Sequence, residues 1–279
     1  MGVGMEAGCH LVFDAMIRIY MARAFMTLRD WGLVVMGVLW LASPGFAQEP
    51  VSLPGVGTKK FADIIDIAPW GLAGSDGKPK GVYTVIFKRL SERSGCALEP
   101  RLTPIPRAVL EVSRGTASAT IMMDRADLNE KTVAIGDVAA LRIEVWLPPG
   151  SPARSLKDLA GKRVGYLRGP TYHEGFDRDT NIVKHQVTNP RQQLEMLGKG
   201  RLEGAIGVRE NFLTAAAQMG ISPTDFSPPI NLGKRIVKLW VTPGLRDTPC
   251  AEQLRQALKE MRRDGEMSRL IAEASSARH

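Results

Sequence analysis

Residues 155–172, SLKDLAGKRVGYLRGPTY, contain a predicted strand between two turns. Ser155 is typical of a helix N-cap, and a glycine ends the short helix that follows it. Residues 163–167 then form the strand, and residues 168–171 form a tight turn into a helix with Pro170 in its first turn. In an open α/β sheet such a turn lies where ligands bind, and its free amides would hold an anion. An ordinary strand-to-helix turn explains the same residues.

Two other stretches share one plan of strand, Pro-Arg, helix, glycine and strand. They are residues 101–121 (RLTPIPRAVLEVSRGTASATI) and residues 185–206 (HQVTNPRQQLEMLGKGRLEGAI). Alternating strands and helices predict largely parallel sheets, and two copies of the plan predict two similar α/β lobes. Residues 142–147 and 235–242 are strand-like and are the expected crossings between the lobes.

The same features predict how the chain is divided. The parts are a secretory signal region (1–47), a lead-in (48–57), a first lobe (58–143 plus 237–279) and a second lobe (147–232).

The first of these parts has the pattern of an export signal. The apolar run Gly32–Ala42 has the length of a signal-peptide core, and cleavage after Ala47 fits the small residues before it. The run is too short to span a bilayer. Met21 or Met26 would each start a leader of normal length, so residues 1–20 are readable as a mis-set start. The sequence therefore predicts an exported protein, periplasmic or secreted.

Composition narrows the function further. The formal net charge is +8, but the cations are scattered with few aromatic residues between them, so no nucleic-acid partner is predicted. Of three cysteines, Cys9 leaves with the signal. Export permits a disulfide between Cys96 and Cys250, with two buried free thiols as the alternative. No catalytic spacing, metal-ligand spacing or cofactor motif is present, so we expect no cofactor and no metal.

From about Phe61 to Ala274 the order of residues resembles the family-3 solute-binding proteins of ABC importers. The motifs are APW…GKPKG, a Pro-x-x-Arg-Ala-type helix entry at Pro104–Ala108, SLKDLAGKRVG, a following R-G-x-T-Y, GR-x-[DE]-[AG] at Gly200–Gly204 and a closing DG…I. The resemblance implies an α/β, type II periplasmic binding protein fold with two lobes joined by two hinge strands. It also implies a small-molecule ligand between the lobes, an ABC permease partner in the inner membrane, and a monomer.

The sequence departs from this family at the positions that hold an α-amino acid. Lys131 stands where the family has a carboxylate-binding Arg, and Val208 stands where it has an ammonium-binding acid. Tyr83 replaces a further family Asp. Since a buried charge without a partner is costly, the predicted ligand is a small polar or anionic solute and not a standard α-amino acid.

The candidate ligand-binding residues lie at predicted strand ends or helix starts, or match family contacts. They are Trp70, Arg107, Asp124, Lys131, Arg168, Gly169, Thr171, Tyr172 and Arg209. Trp70 could equally belong to the core between the lobes, and Arg107 could pair with a structural acid such as Asp124.

Two other functions stay open at this point. An exported enzyme similar to cyclohexadienyl dehydratases would need a general acid, for which His173 and Glu174 are the candidates. A ligand-sensing module would have to act on a membrane sensor in trans. We expect a binding protein and not an enzyme.

Overall fold

The computed structural model describes residues 59–276. The predicted signal region, the cleavage site after Ala47 and the lead-in to residue 57 lie outside the described residues. Within residues 59–276, no helix is both long enough and apolar enough to span a membrane.

Strands and helices alternate along the described chain. The strands are β1 (Phe61–Ile65), β2 (Leu72–Ala73), β3 (Pro79–Lys80), β4 (Glu99–Thr103), β5 (Ala119–Met123), β6 (Val133–Leu147), β7 (Arg163–Leu167), β8 (Val183–Val187), β9 (Gly204–Val208) and β10 (Ser227–Val241). The α-helices are α1 (Val82–Ser94), α2 (Ile105–Arg114), α3 (Ala126–Asn129), α4 (Glu174–Asp177), α5 (Pro190–Gly198), α6 (Arg209–Met219), α7 (Pro249–Arg263) and α8 (Glu266–Ser276).

Eight strands form one sheet in the order β4-β1-β5-β10-β6-β9-β7-β8. β1 is parallel to β4 and β5, and β7 is parallel to β8 and β9. Between these groups β6 and β10 are antiparallel to each other along their length. The first lobe, built on β1, β4 and β5, is therefore joined to the second, built on β7, β8 and β9, by two strands. The predicted fold class is confirmed, and the predicted lobe boundaries stay a prediction.

The two connecting strands are much longer than the sequence suggests. β6 begins at Val133 and not near Arg142, and β10 begins at Ser227 and not at Arg235. The early half of β6 contains glycine, aspartate and three alanines, which have low strand propensity. Register shifts opposite β10 also interrupt the alternation of buried and exposed residues.

The apolar residues of α1 and α7 recur at helical spacing and form the buried face of each helix. α1 buries Ile86, Phe87 and Leu90, and α7 buries Leu254 and Leu258 among others. α7 packs against α1 and β6, and α8 packs against α1 and α7. The last two helices thus return to the first lobe after β10, as the predicted crossing requires.

A disulfide fastens this return. Cys96 follows α1, Cys250 lies in the first turn of α7, and their Cα atoms are 5.4 Å apart. The bond closes a loop across a sequence separation of 154 residues. It therefore ties the C-terminal helices to the first lobe by a covalent link.

We predict that replacing both cysteines, Cys96→Ser with Cys250→Ser, lowers the free energy of unfolding by up to about 5 kcal/mol. The loss follows from the loop-closure entropy of a long loop in the unfolded chain. Urea denaturation with and without reductant measures it, because reductant should destabilise the native protein and leave the double variant unchanged. The prediction would be contradicted if the native protein with its disulfide intact and the double variant were equally stable without reductant.

Candidate functional site

A small cavity lies between the two lobes, at the carboxyl ends of β1, β5, β7 and β9. Its volume is about 40 Å³, which is room for a few water molecules. Its walls are mainly aliphatic side chains and methionine, among them Ile65, Ile105, Met122, Leu141, Leu167 and Val208. Both lobes contribute, so the cavity exists only while they are together.

Trp70 closes one side of the cavity. It follows β1, is 1% exposed and stacks on Tyr83 with the ring centres 5.2 Å apart. Its indole Nε1 donates a hydrogen bond of 2.6 Å to Oδ1 of Asn211, in the first turn of α6. A buried N–H without this acceptor would be costly, so the bond stabilises the contact between the lobes.

Arg125 is the one charged side chain that lines the cavity in the described residues. It directly precedes α3, and its Nε and Nη2 atoms donate to the two Asp127 oxygens at 2.5 and 2.8 Å. Its Nη1 donates to the backbone carbonyl of Gly169, in the second lobe, at 2.6 Å. Asp127 thus fixes the orientation of the guanidinium, which also bridges the lobes. Sequence reasoning missed Arg125, although its place just after a parallel strand is a signal for ligand contact.

The predicted turn after β7 supplies the opposite wall. Thr171 and Tyr172 line the cavity, and the Thr171 hydroxyl accepts a hydrogen bond of 3.2 Å from Nη2 of Arg235 on β10. Tyr172 is 2% exposed, and its hydroxyl accepts from the Leu167 amide at 3.1 Å. Burial raises the pKa of Tyr172 well above the usual value. Its ring therefore serves as a neutral wall.

The predicted helix start at Pro170 is wrong. α4 begins at Glu174 and has four residues, because the chain stays non-helical through Tyr172 to bury that ring. The Tyr172 amide donates to the Asp177 carboxylate, at 3.0 Å to Oδ2. Gly169 accepts through its carbonyl from Arg125 of the first lobe. The helix start expected to support a backbone anion site is therefore not at this turn, and the anion site itself stays a prediction.

Two of the predicted arginines pair with acids elsewhere. Arg107 points outward from α2 and donates from Nε to Oε1 of Glu111 at 2.6 Å, so its partner is Glu111 and not Asp124. Arg209 donates to Oε1 of Glu144 at 3.1 Å. Neither arginine lines the cavity. Glu111 lies on the same helix as Arg107, and Glu144 lies on β6, next to the strand that precedes Arg209, so each arginine pairs with an acid close by.

The other predicted charges are also outside the cavity. Asp124 accepts from Nζ of Lys238 at 3.1 Å and from Asn129 at 3.0 Å. Lys131 and Arg168 are exposed to solvent. Of the nine candidate positions the structure brings Trp70, Thr171 and Tyr172 to the cavity wall, and Gly169 to its edge through Arg125.

Glu210 is a partly buried acid that does not line the cavity. Val208 is 4% exposed and lines the cavity, while Glu210 lies in the first turn of α6. Oε2 of Glu210 has no hydrogen-bond partner in the described residues. Burial raises the pKa of Glu210, and the nearby Glu144 adds to the rise. The wall at this point is therefore apolar, with a carboxyl group of weakened acidity behind it.

A wider cleft lies beyond the Trp70–Asn211 hydrogen bond. Its volume is about 470 Å³, and its walls include Asp66 from the first lobe and Asn189 and Gln218 from the second. Asn211 borders both this cleft and the small cavity. The indole–amide pair therefore separates a polar outer cleft from an apolar inner cavity.

Comparison with known proteins supports the fold. No protein-family model and no curated protein matches the sequence. A crystal structure of a histidine kinase sensor domain with similarity to periplasmic binding proteins is 18% identical, covers 78% of this chain and 95% of its own, and has a TM-score of 0.66. The substrate-binding protein of an amino acid ABC transporter is 17% identical over 77% of this chain and 97% of its own, with a TM-score of 0.63. Solute receptors for L-cysteine of Neisseria gonorrhoeae are 17% identical, with 77% and 89% coverage and a TM-score of 0.65.

We predict that Gly169→Ala destabilises the protein by more than the control Gly161→Ala. Both glycines have positive φ, +111° and +72°, so both variants lose about 1–2 kcal/mol from backbone strain. A Cβ at Gly169 would also lie 2.8 Å from Cγ2 of Ile105 in the first lobe, whereas a Cβ at Gly161 meets no atom within 4 Å. Thermal denaturation gives the difference, and small-angle scattering should show Gly169→Ala to be the more open. Equal behaviour would mean that the contact between the lobes is not tight.

We also predict that Glu210→Gln stabilises the protein at pH 7.5 and has little effect near pH 4. Since burial raises the pKa of Glu210, the folded state holds its proton where the unfolded state has released it. Native stability then falls as the pH rises above the usual value of 4.5. Thermal melts between pH 4 and 8 test this, with Glu174→Gln, whose side chain is 74% exposed, as control. A variant that is less stable at every pH would contradict the prediction.

Proposed function

We propose that this chain, which has the type II periplasmic binding protein fold, is a solute-binding protein that closes its two lobes around a small ligand. The cavity between the lobes carries the proposal. Trp70 and Arg125 reach it from the first lobe, and Thr171 and Asn211 reach it from the second. A solute in this position contacts both lobes only when they are closed, so its binding would favour closure.

A binding role fits the described residues better than catalysis. The acid candidates for an enzyme lie away from the cavity, since His173 caps α4 through a 3.0 Å bond from the Gly175 amide to Nδ1. Glu174 is exposed and pairs with Arg178. No group of three or more His, Cys, Asp or Glu side chains in the described part of the chain is placed to hold a metal ion.

Delivery to an ABC permease is the proposed fate of the solute. The predicted signal in residues 1–47 supports an exported, periplasmic protein, and the similarity to the substrate-binding protein of an amino acid ABC transporter supports an import partner. We propose that it acts as a monomer without nucleic acid, with lobes at residues 58–143 plus 237–279 and 147–232.

A sensing role is the second candidate. It is supported by the similarity to a histidine kinase sensor domain. Because both roles need the same closing cavity, ligand binding does not separate them. A permease and ATPase gene pair beside the gene would favour import, and a membrane kinase gene without such a pair would favour sensing.

We predict that a small solute stabilises the protein saturably through this cavity. At about 100 times its dissociation constant, the ligand should add roughly 2.7 kcal/mol to the free energy of unfolding. A thermal-shift screen of amino acids, carboxylic acids and small neutral polar compounds measures the effect.

A pair of matched variants locates the binding. Val208→Phe fills the cavity wall and should abolish the shift, whereas Val183→Phe, at a β8 position that is 50% exposed, should keep it. The proposal would be wrong if no compound stabilised the protein, or if Val208→Phe bound as well as the native chain.

A further inference from the structure

We infer that the cavity beside Arg125 takes a short-chain carboxylic acid with an apolar body and no α-ammonium group. The inference rests on the proposed function, because it names the class of solute that the same cavity would hold. Three features carry it: apolar walls, one oriented guanidinium, and no acidic side chain in the cavity lining of the described residues.

The walls determine the body of the ligand. Ile105, Met122, Leu141 and Leu167 are each at most 6% exposed, and their side chains offer no strong hydrogen-bond partner. A hydroxyl or amide against this surface would lose its bonds to water without replacement. The volume of about 40 Å³ is well below the roughly 150 Å³ of an apolar cavity that holds benzene. A sugar or a peptide is therefore excluded from the closed cavity, and a short aliphatic chain fits it best.

The guanidinium determines the head group. Asp127 holds the side of the Arg125 fork formed by Nε and Nη2, which leaves the end formed by Nη1 and Nη2. Of that end, Nη1 donates to the Gly169 carbonyl. A carboxylate can take both nitrogens of the end, and its full charge makes a stronger acceptor than a peptide carbonyl. The Arg125 side chain is only 16% exposed, so water competes weakly for it.

The missing acid determines what the ligand lacks. Val208 lines the wall, and an ammonium group against it would lose water without gaining a partner. Asp127 is already paired with Arg125, and Glu210 does not line the cavity. An α-amino acid would therefore leave one of its charges uncompensated.

Matched ligand pairs test the class on the full mature protein. Acetate and glycine, and propionate and alanine, share a carbon skeleton within each pair and differ by the α-ammonium group. We expect calorimetry to show tighter binding of the acid in each pair, by about tenfold or more. Propionamide, which lacks the carboxylate charge, should bind at least about tenfold more weakly than propionate.

Variants test the residues. Arg125→Gln should weaken propionate binding by about tenfold or more, and Arg125→Lys should fall between the native chain and Arg125→Gln. The exposed control Lys131→Gln should bind propionate as the native chain does. Val208→Asp should reverse the preference toward alanine. Far-ultraviolet circular dichroism checks the fold of each variant. If Arg125→Gln does not fold, the comparison of ligand pairs on the native chain still tests the inference.

The outcomes separate this inference from the proposed function. Tighter binding of alanine than of propionate would overturn the ligand class and leave the binding role in place. Propionate binding that is equal in the native chain and in folded Arg125→Gln would show that Arg125 does not hold the carboxylate. If no acid, amino acid or neutral polar compound binds the folded native chain, both the inference and the proposed function are wrong.

Discussion

The antiparallel pairing of β6 with β10 is the constraint on which the sheet and the cavity depend. Each strand has fifteen residues, so one end joins the sheet of the first lobe and the other joins that of the second. β10 pairs with β5 at one end, and β6 pairs with β9 at the other. Between these ends the register of β10 shifts at residues 231–234, opposite residues 142–144 of β6. Because only two strands join the lobes in the described chain, the lobes can move by bending these strands while each core stays packed.

The closed arrangement of the lobes is stabilised by hydrogen bonds between polar groups of one lobe and polar groups of the other. The Trp70 indole uses the Asn211 carbonyl oxygen, and Arg125 uses the Gly169 carbonyl. Each bond joins one lobe to the other, and each would leave a buried donor or acceptor unpaired if broken without replacement. A ligand therefore has to replace contacts that already exist between the lobes. It stabilises the closed state only by the amount by which its own contacts are stronger than those it replaces. A carboxylate can form a stronger hydrogen bond with Arg125 than the Gly169 carbonyl does. The apolar wall at Val208, in contrast, has no group that could replace the water bound to a charged group.

Local patterns in the sequence predicted the elements and only part of the site. The helix start predicted at Ser155 is a short 3₁₀ helix, and the Ser155 amide donates to the Asp158 carboxylate at 2.9 Å. Sequence reasoning missed Arg125 because the contact that gives it a role joins it to Gly169, 44 residues away, and no local pattern marks such a contact. The helix start at Pro170 was wrong for a related reason. Burial of Tyr172, a tertiary effect, overrode a good local signal for a helix.

The net charge of +8 does not predict which charges line the cavity. Two arginines that the sequence suggested for it, Arg107 and Arg209, pair with Glu111 and Glu144 outside the cavity. Both arginine side chains are more than a third exposed, so solvent screens their charges. Arg125 is paired as well, with Asp127, but it is mostly buried and lines the cavity. In such surroundings one guanidinium attracts a carboxylate more strongly than several solvated cations, and an unpaired ammonium is rejected for the same reason.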